Sequence, residues 1–129
     1  MRLVLDTNVV ISAFINPNDT PSQILKLILN RNAELCYNLP ILGEYEKVAL
    51  RQKFSSKINP DHIRRFFDLI RNIGILYDPA PGKIKLLDES DRIFHDTAKG
   101  SGSFLITGNI KHFPKEPFIK LPADFIKQL

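Results

Sequence analysis

The chain has 129 residues, 43% of them hydrophobic and 25% charged, with a formal charge of +4. That length and hydrophobic share predict one domain over residues 1–129 with a substantial core, and they exclude a disordered chain. No apolar run approaches the roughly 18 residues that span a bilayer, and Met1-Arg2-Leu3 begins no signal-peptide pattern, so a cytoplasmic protein with no membrane association is expected.

In chain order, residues 3–5 read as a first strand. A helix is predicted over 9–15, ended by the turn cluster Asn16-Pro17-Asn18-Asp19. Thr20 then reads as an N-cap with Pro21 at the first helical position, and a helix over 22–30 places Ile24, Leu27, Ile28 and Arg31 on one stripe. Residues 34–37 form a second strand. Within it Cys36, the one cysteine, reads as a buried small hydrophobe, and with no disulfide partner it fits a reducing compartment. A helix from Pro40 carries Ile41, Tyr45 and Val48 at helical spacing. Asn59-Pro60-Asp61 opens another, with Ile63, Phe66, Phe67, Ile70 and Ile73 facing the core and Gly74 ending it. Residues 75–77 are a third strand, and Asp78-Pro79-Ala80-Pro81-Gly82 continues neither regular structure. A helix follows Asp88-Glu89-Ser90 as far as Lys99, closed by Gly100-Ser101-Gly102. Residues 104–107 are a fourth strand, 118–119 a candidate fifth, and Leu121-Pro122-Ala123-Asp124 starts a terminal helix. Strands alternating with helices predict an α/β fold, a mostly parallel sheet covered on both faces.

Ligands of open α/β sheets bind at the carboxyl ends of the strands, and Asp6 stands at that end of the first strand. Glu44 falls in the first turns of the helix after the second strand. Asp91 falls in the first turn of the helix before the fourth, sharing a face with Phe94 and Ala98. That face turns Asp91 toward apolar surroundings, where an unpaired charge is costly. A hard divalent cation, Mg²⁺ or Mn²⁺, would offset the cost through oxygen ligands. Spacing alone leaves other readings open. Asp88, Glu89 and Asp91 also suit a helix N-terminus as ordinary acids favoured by the dipole, and periodicity does not separate Glu44 from Glu46. From Arg31 to Arg71 there are eight Lys or Arg residues, Lys53 among them, against five acids. They are either solvated helix faces or a basic rim for phosphates. No His–Cys or His–Glu spacing suggests zinc, and no Gly-rich phosphate loop is present. His62 and His95 read as surface residues and His112 as a structural loop residue. Asp96 is expected on a different side of its helix from Asp91.

The segments Leu5-Asp6-Thr7-Asn8-Val9-Val10-Ile11-Ser12-Ala13, Leu42-Gly43-Glu44-Tyr45, Asp88-Glu89-Ser90-Asp91-Arg92-Ile93-Phe94 and Leu105-Ile106-Thr107-Gly108-Asn109 together resemble the PIN domain. The likeness reaches to Pro114 and is strongest to the branch of toxins from bacterial and archaeal toxin–antitoxin systems. It implies a three-layer α/β/α sandwich around a mostly parallel sheet of four to five strands. It also implies a Mg²⁺- or Mn²⁺-dependent endoribonuclease that hydrolyses RNA phosphodiester bonds. The family's first three acids map to Asp6, Glu44 and Asp91, as metal ligands and catalytic residues. Many members carry a fourth acid where this chain has Asn109, which offers only a carbonyl or a bond to a metal's water. Asn8 and Ser12 are candidates to orient Asp6, and Asn8 equally suits the cap of the following helix. Thr107 and Gly108 are expected to approach as strand-end backbone. The resemblance further implies a cognate antitoxin that blocks the pocket, and a homodimer formed through the helices over 22–31 and 40–54. The alternative is a catalytically weakened PIN-fold module that binds RNA or protein, with Asn109 in its favour. A phosphatase with an aspartyl nucleophile would want an acid at position 8, where this chain has Asn8.

Overall fold

The computed structural model of the chain describes residues 1–51 and 56–129. Lys53 of the expected basic rim, and the far end of the helix predicted over 40–54, lie outside the described residues. Strands β1 (Arg2–Leu5), β2 (Glu34–Tyr37), β3 (Ile75–Leu76), β4 (Phe104–Ile106) and β5 (Ile119–Lys120) form one parallel sheet in the order β3-β2-β1-β4-β5. Inner strands of a parallel sheet are buried on both faces and need continuous apolar runs rather than alternation. Leu3-Val4-Leu5, Leu35-Cys36-Tyr37 and Leu105-Ile106 supply them, all buried. From β1 the chain proceeds outward through β2 to β3, then crosses back to β4 on the other side of β1. The strand order therefore reverses at β1, and such a reversal opens a crevice beyond the carboxyl ends of the strands flanking it.

Helices α1 (Thr7–Ile15), α2 (Thr20–Leu29), α3 (Leu39–Ala49), α4 (Pro60–Ile73), α5 (Arg92–Ser101) and α6 (Pro122–Lys127) complete the three-layer α/β/α fold. α5 packs across β1, β2 and β4, and α4 packs on β2. On α4 the predicted face is buried through Ile63, Phe66, Phe67 and Ile70, with Ile73 half-buried. Each fully buried side chain of that size contributes about 2 kcal/mol. Phe66 also meets Phe14 of α1 edge to face, with ring centroids 5.2 Å apart.

The helix ends differ from the sequence reading for local reasons. α1 starts at Thr7 because the Asp6 carboxylate accepts the Thr7 N–H, making Asp6 the cap in place of Asn8. Asp19 caps α2 in the same way, which moves Thr20 into the helix. Arg31 is off the α2 stripe: it is exposed in a left-handed conformation, φ 63°, beyond the helix end. Gly74 ends α4 with φ −74°, so no left-handed turn selects it. A Cβ there would lie 2.6 Å from the Ile70 carbonyl oxygen and 2.8 Å from the Tyr37 ring, so close approach selects glycine instead.

Candidate active site

The backbone at the end of β1 is fixed from two sides. The Tyr45 hydroxyl of α3 donates to the Leu5 carbonyl at 2.5 Å, and the Asp6 N–H donates to the Ile106 carbonyl of β4 at 2.9 Å. Asp6 is 6% exposed. One carboxylate oxygen accepts the Thr7 N–H at 2.8 Å, and the other accepts the Thr107 hydroxyl at 2.7 Å. Burial raises the Asp6 carboxyl above the ordinary carboxylate range, opposed by the bonds from Thr107 and Thr7 and by the charge of His112. The Tyr45 phenol is pushed up by its own burial and by the Asp6 charge.

Asp91 reaches the same crevice from the far end of the chain. Asp88 caps a 3₁₀ turn, Glu89–Asp91, by accepting the Ser90 N–H at 2.9 Å, and α5 begins at the next residue. Asp91 stands at the N-cap of α5, yet its side chain makes no capping bond. Its Oδ2 is buried and has no hydrogen-bond partner. Burial raises this carboxyl too, then the neighbouring Asp6 and Asp88 charges, while His112 pulls it back. The His112 Nδ1 stands 3.5 Å from Asp91 Oδ2, near enough for charge attraction without satisfying that oxygen. The three acids that spacing left equivalent are thereby separated. Asp88 is used as a cap, Glu89 is paired with Arg92 at 2.5 Å, and Asp91 remains unsatisfied.

The other predicted residues are placed unevenly. Glu44 is half-buried on α3, whereas Glu46 is exposed and lines a groove between α3 and α4. Glu44 is not among the charges acting on Asp6 or Asp91. Among the described residues, no three or more His, Cys, Asp or Glu side chains converge as a set of metal ligands. The geometry thus joins Asp6 with Asp91. Asn8 is exposed, and Ser12 is half-buried with no side-chain bond to Asp6 among the described residues. Thr107 acts through its side chain, not through the backbone alone. Its hydroxyl donates to Asp6 and accepts the Asn109 N–H at 3.0 Å. Asn109 is half-buried and Gly108 exposed.

Two histidines depart from their sequence readings. His112, taken as structural, lies in the 3₁₀ turn Ile110–His112 and faces the acid pair. Its segment has no periodicity, so only tertiary structure reveals the contact. His95, taken as a surface residue, is 1% exposed, with Nε2 2.6 Å from Glu116 Oε2. Asp96 faces away from Asp91 and accepts the Gly82 N–H at 2.9 Å. His62 is exposed and Cys36 fully buried, as expected.

A parallel α/β/α sheet with paired carboxylates where its strand order reverses defines an α/β protein with its site beyond the strand ends. The chain belongs to the PIN domain family, whose profile matches residues 2–111. It is 31% identical over 110 residues to an uncharacterized protein of Methanocaldococcus jannaschii, covering 84% of this chain and 71% of that relative. The solved structure of VapBC2 from Rickettsia felis, bound to a DNA fragment from their promoter, superposes with a TM-score of 0.60. The match covers 94% of this chain and 97% of that one, and at 20% identity it is a likeness of fold.

Proposed function

We propose that the chain is a divalent-cation-dependent endoribonuclease and the toxin member of a toxin–antitoxin pair. The observation that carries this reading is the Asp6–Asp91 pair. Both carboxyls are raised by burial, the Asp6 charge raises Asp91 further, and one buried Asp91 oxygen has no hydrogen bond. Buried polar atoms are normally satisfied, and buried charges are normally paired or bound to metal. The donors are carboxylate oxygens, which fit Mg²⁺ or Mn²⁺. Asp6 and Asp91 would hold the ion, with Glu44 and the Asn109 carbonyl as candidate further ligands. When bound, such an ion activates a water and polarises a phosphoryl oxygen.

The chain's own groups prepare that site. Thr107 and the Thr7 N–H each occupy one lone pair of Asp6 and hold its carboxylate in one orientation. His112, half-exposed at the rim, offers a ring N–H to a phosphate oxygen. Single-stranded RNA is the substrate whose backbone reaches such a crevice most readily. Membership of the PIN family and the fold likeness to VapBC2 support the toxin reading, and with it a cognate antitoxin partner in the cytoplasm and a homodimer.

The test is RNA cleavage with Mg²⁺, Mn²⁺ or EDTA by wild type, Asp6→Asn, Asp91→Asn and Glu44→Gln. Metal-dependent cleavage reduced at least ~100-fold by either Asn substitution is expected. Equal cleavage by all four proteins would end the enzyme claim. Asn109 favours a second reading, a module that binds RNA without cutting it. A Mn²⁺ titration followed by thermal unfolding separates the two, because an ion that binds only the native state raises its melting temperature. A rise with cleavage supports the nuclease, and RNA binding with neither supports the module.

A further inference from the structure

We infer that single-stranded RNA runs along two adjoining clefts on either side of Lys111 and His112, lysines taking its phosphates and apolar walls its bases. The inference rests on the ribonuclease reading for its substrate class and adds the path. One cleft, of about 290 Å³, is bounded by Lys85, Leu87, His112 and Pro114. The other, of about 570 Å³, is bounded by Lys111, Lys115, Pro117 and Lys120. Lys111, Phe113 and Pro114 line both, so the clefts adjoin across a shared wall. His112 is a wall of the first cleft and stands 3.5 Å from Asp91 Oδ2, so one side chain separates the track from the acid pair.

Charge selects the occupant. Lys85, Lys111 and Lys115 are exposed and Lys120 half-exposed, and none joins an ion pair among the described residues. The one acid in the cleft walls, Glu116, is turned to His95 at 2.6 Å and Lys99 at 3.9 Å. By contrast, Arg64 and Arg71 of α4, in the stretch where the sequence suggested a basic rim, are paired with Asp61 at 3.1 Å and Asp68 at 3.5 Å. Arg31, Lys47, Arg51, Lys57 and Arg65 join no ion pair among the described residues either, but the unpaired lysines that line the clefts beside His112 are those of the 85–120 segments. An apolar peptide would leave that charge unmatched, whereas a nucleic-acid backbone matches it. Leu87, 83% exposed at the mouth, is an apolar surface that a base can cover.

The experiment is fluorescence polarisation of fluorescein-labelled single-stranded RNA in EDTA, so that binding is read without the cation. Wild type is compared with Lys85→Ala/Lys111→Ala, Lys115→Ala/Lys120→Ala, Leu87→Ser and the control Arg64→Ala/Arg71→Ala, each checked for unchanged thermal unfolding. Each lysine pair is expected to weaken binding roughly tenfold near 0.1 M salt and to flatten the log–log salt slope by about 1.4, at ~0.7 per phosphate contact. Leu87→Ser is expected to weaken binding at an unchanged slope, and the arginine pair to change affinity less than about twofold. Lysine variants that bind like wild type, loss carried by the arginines, no RNA binding by wild type, or tighter binding of polyglutamate than of RNA would each overturn the track. Wild type that binds RNA through these lysines but cuts none with Mn²⁺ keeps the track and ends the nuclease reading. Wild type that cuts, with lysine variants of unchanged KM, ends the track alone.

Discussion

Asp91 and His95 stand one turn apart at the start of α5, and both face carboxylates. Asp91 faces two other acids, Asp6 and Asp88, with a buried oxygen that nothing satisfies. His95 faces Glu116, its Nε2 2.6 Å from the carboxylate, between the rings of Phe113 and Phe118 at centroid distances of 6.4 and 5.6 Å. One end of the helix holds like charges at the mouth of a crevice. One turn later, the buried His95–Glu116 contact ties the 113–118 segment, the floor of the lysine-lined clefts, to the helix. A polar group left unsatisfied beside open space costs stability and is available to a ligand. One sealed from solvent serves the fold: His95 is held through Nε2 by Glu116, although its buried Nδ1 also has no hydrogen-bond partner.

The largest expected effect tests the sealed contact. His95→Ala removes the partner of a carboxylate that is itself 20% exposed and empties a slot between two aromatic rings. We expect a loss of roughly 3–5 kcal/mol in denaturant unfolding, a large part of the stability of a domain this size. Glu116→Gln, which keeps the shape, should cost less. A loss below about 1 kcal/mol for His95→Ala would show that this contact does not hold the segment.

Next in size is Thr107, which links the two halves of the crevice. Thr107→Val deletes the donor to Asp6 and the acceptor of the Asn109 N–H. The expected cost is about 1–2 kcal/mol, with Thr107→Ser restoring most of it. Full stability in the valine variant would mean that the hydroxyl does not orient Asp6.

The acid pair should behave in the opposite way to the histidine. Burial raises both carboxyls, and the Asp6 and Asp88 charges raise Asp91 further, so the native state holds protons that the unfolded chain has released. The unfolding free energy therefore falls as pH rises from the ordinary carboxylate value through the raised ones, and this contribution is fully present only below that window. Metal-free Asp6→Asn and Asp91→Asn are accordingly expected to melt a few degrees higher than wild type at neutral pH. The advantage should vanish near pH 4. Asp88 and Glu89, held low by Ser90 and Arg92, act in the opposite sense but equally in all three proteins. Mn²⁺ should reverse the order, stabilising wild type alone. Asn variants that melt below wild type at neutral pH without metal would mean the pair is not strained.

Much of this was open to reading before any coordinates. β2 matches its predicted span because Leu35-Cys36-Tyr37 is a continuous apolar run bounded by turn residues, and the buried face of α4 follows from its strong helical period. Asp6 stood out because a carboxylate ends a buried strand, although its capping role went unread despite the preference of Asp for that position. The His112–Asp91 and His95–Glu116 contacts were out of reach. The segment from Ile110 to Phe118 has no period, and tertiary packing alone decides which of its side chains turn inward. Glu44 shows the reverse limit. A family motif marks it, whereas helical period alone does not separate it from Glu46, and only the fold half-buries Glu44 and exposes Glu46.

The smallest expected effect isolates what burial contributes. Glu116 has a second cationic neighbour, Lys99, whose Nζ lies 3.9 Å from Oε1 with 62% of its side chain exposed. Lys99 and His95 both lie within 4 Å of the Glu116 carboxylate, but water screens the lysine and the long side chain loses entropy when held. Lys99→Ala should therefore shift unfolding by no more than about 0.5 kcal/mol, and added salt should leave that small difference near zero. If it instead cost as much as His95→Ala, Glu116 would be held by a solvent-exposed charge network. Burial would then no longer distinguish the sealed contact on α5 from the open acid pair.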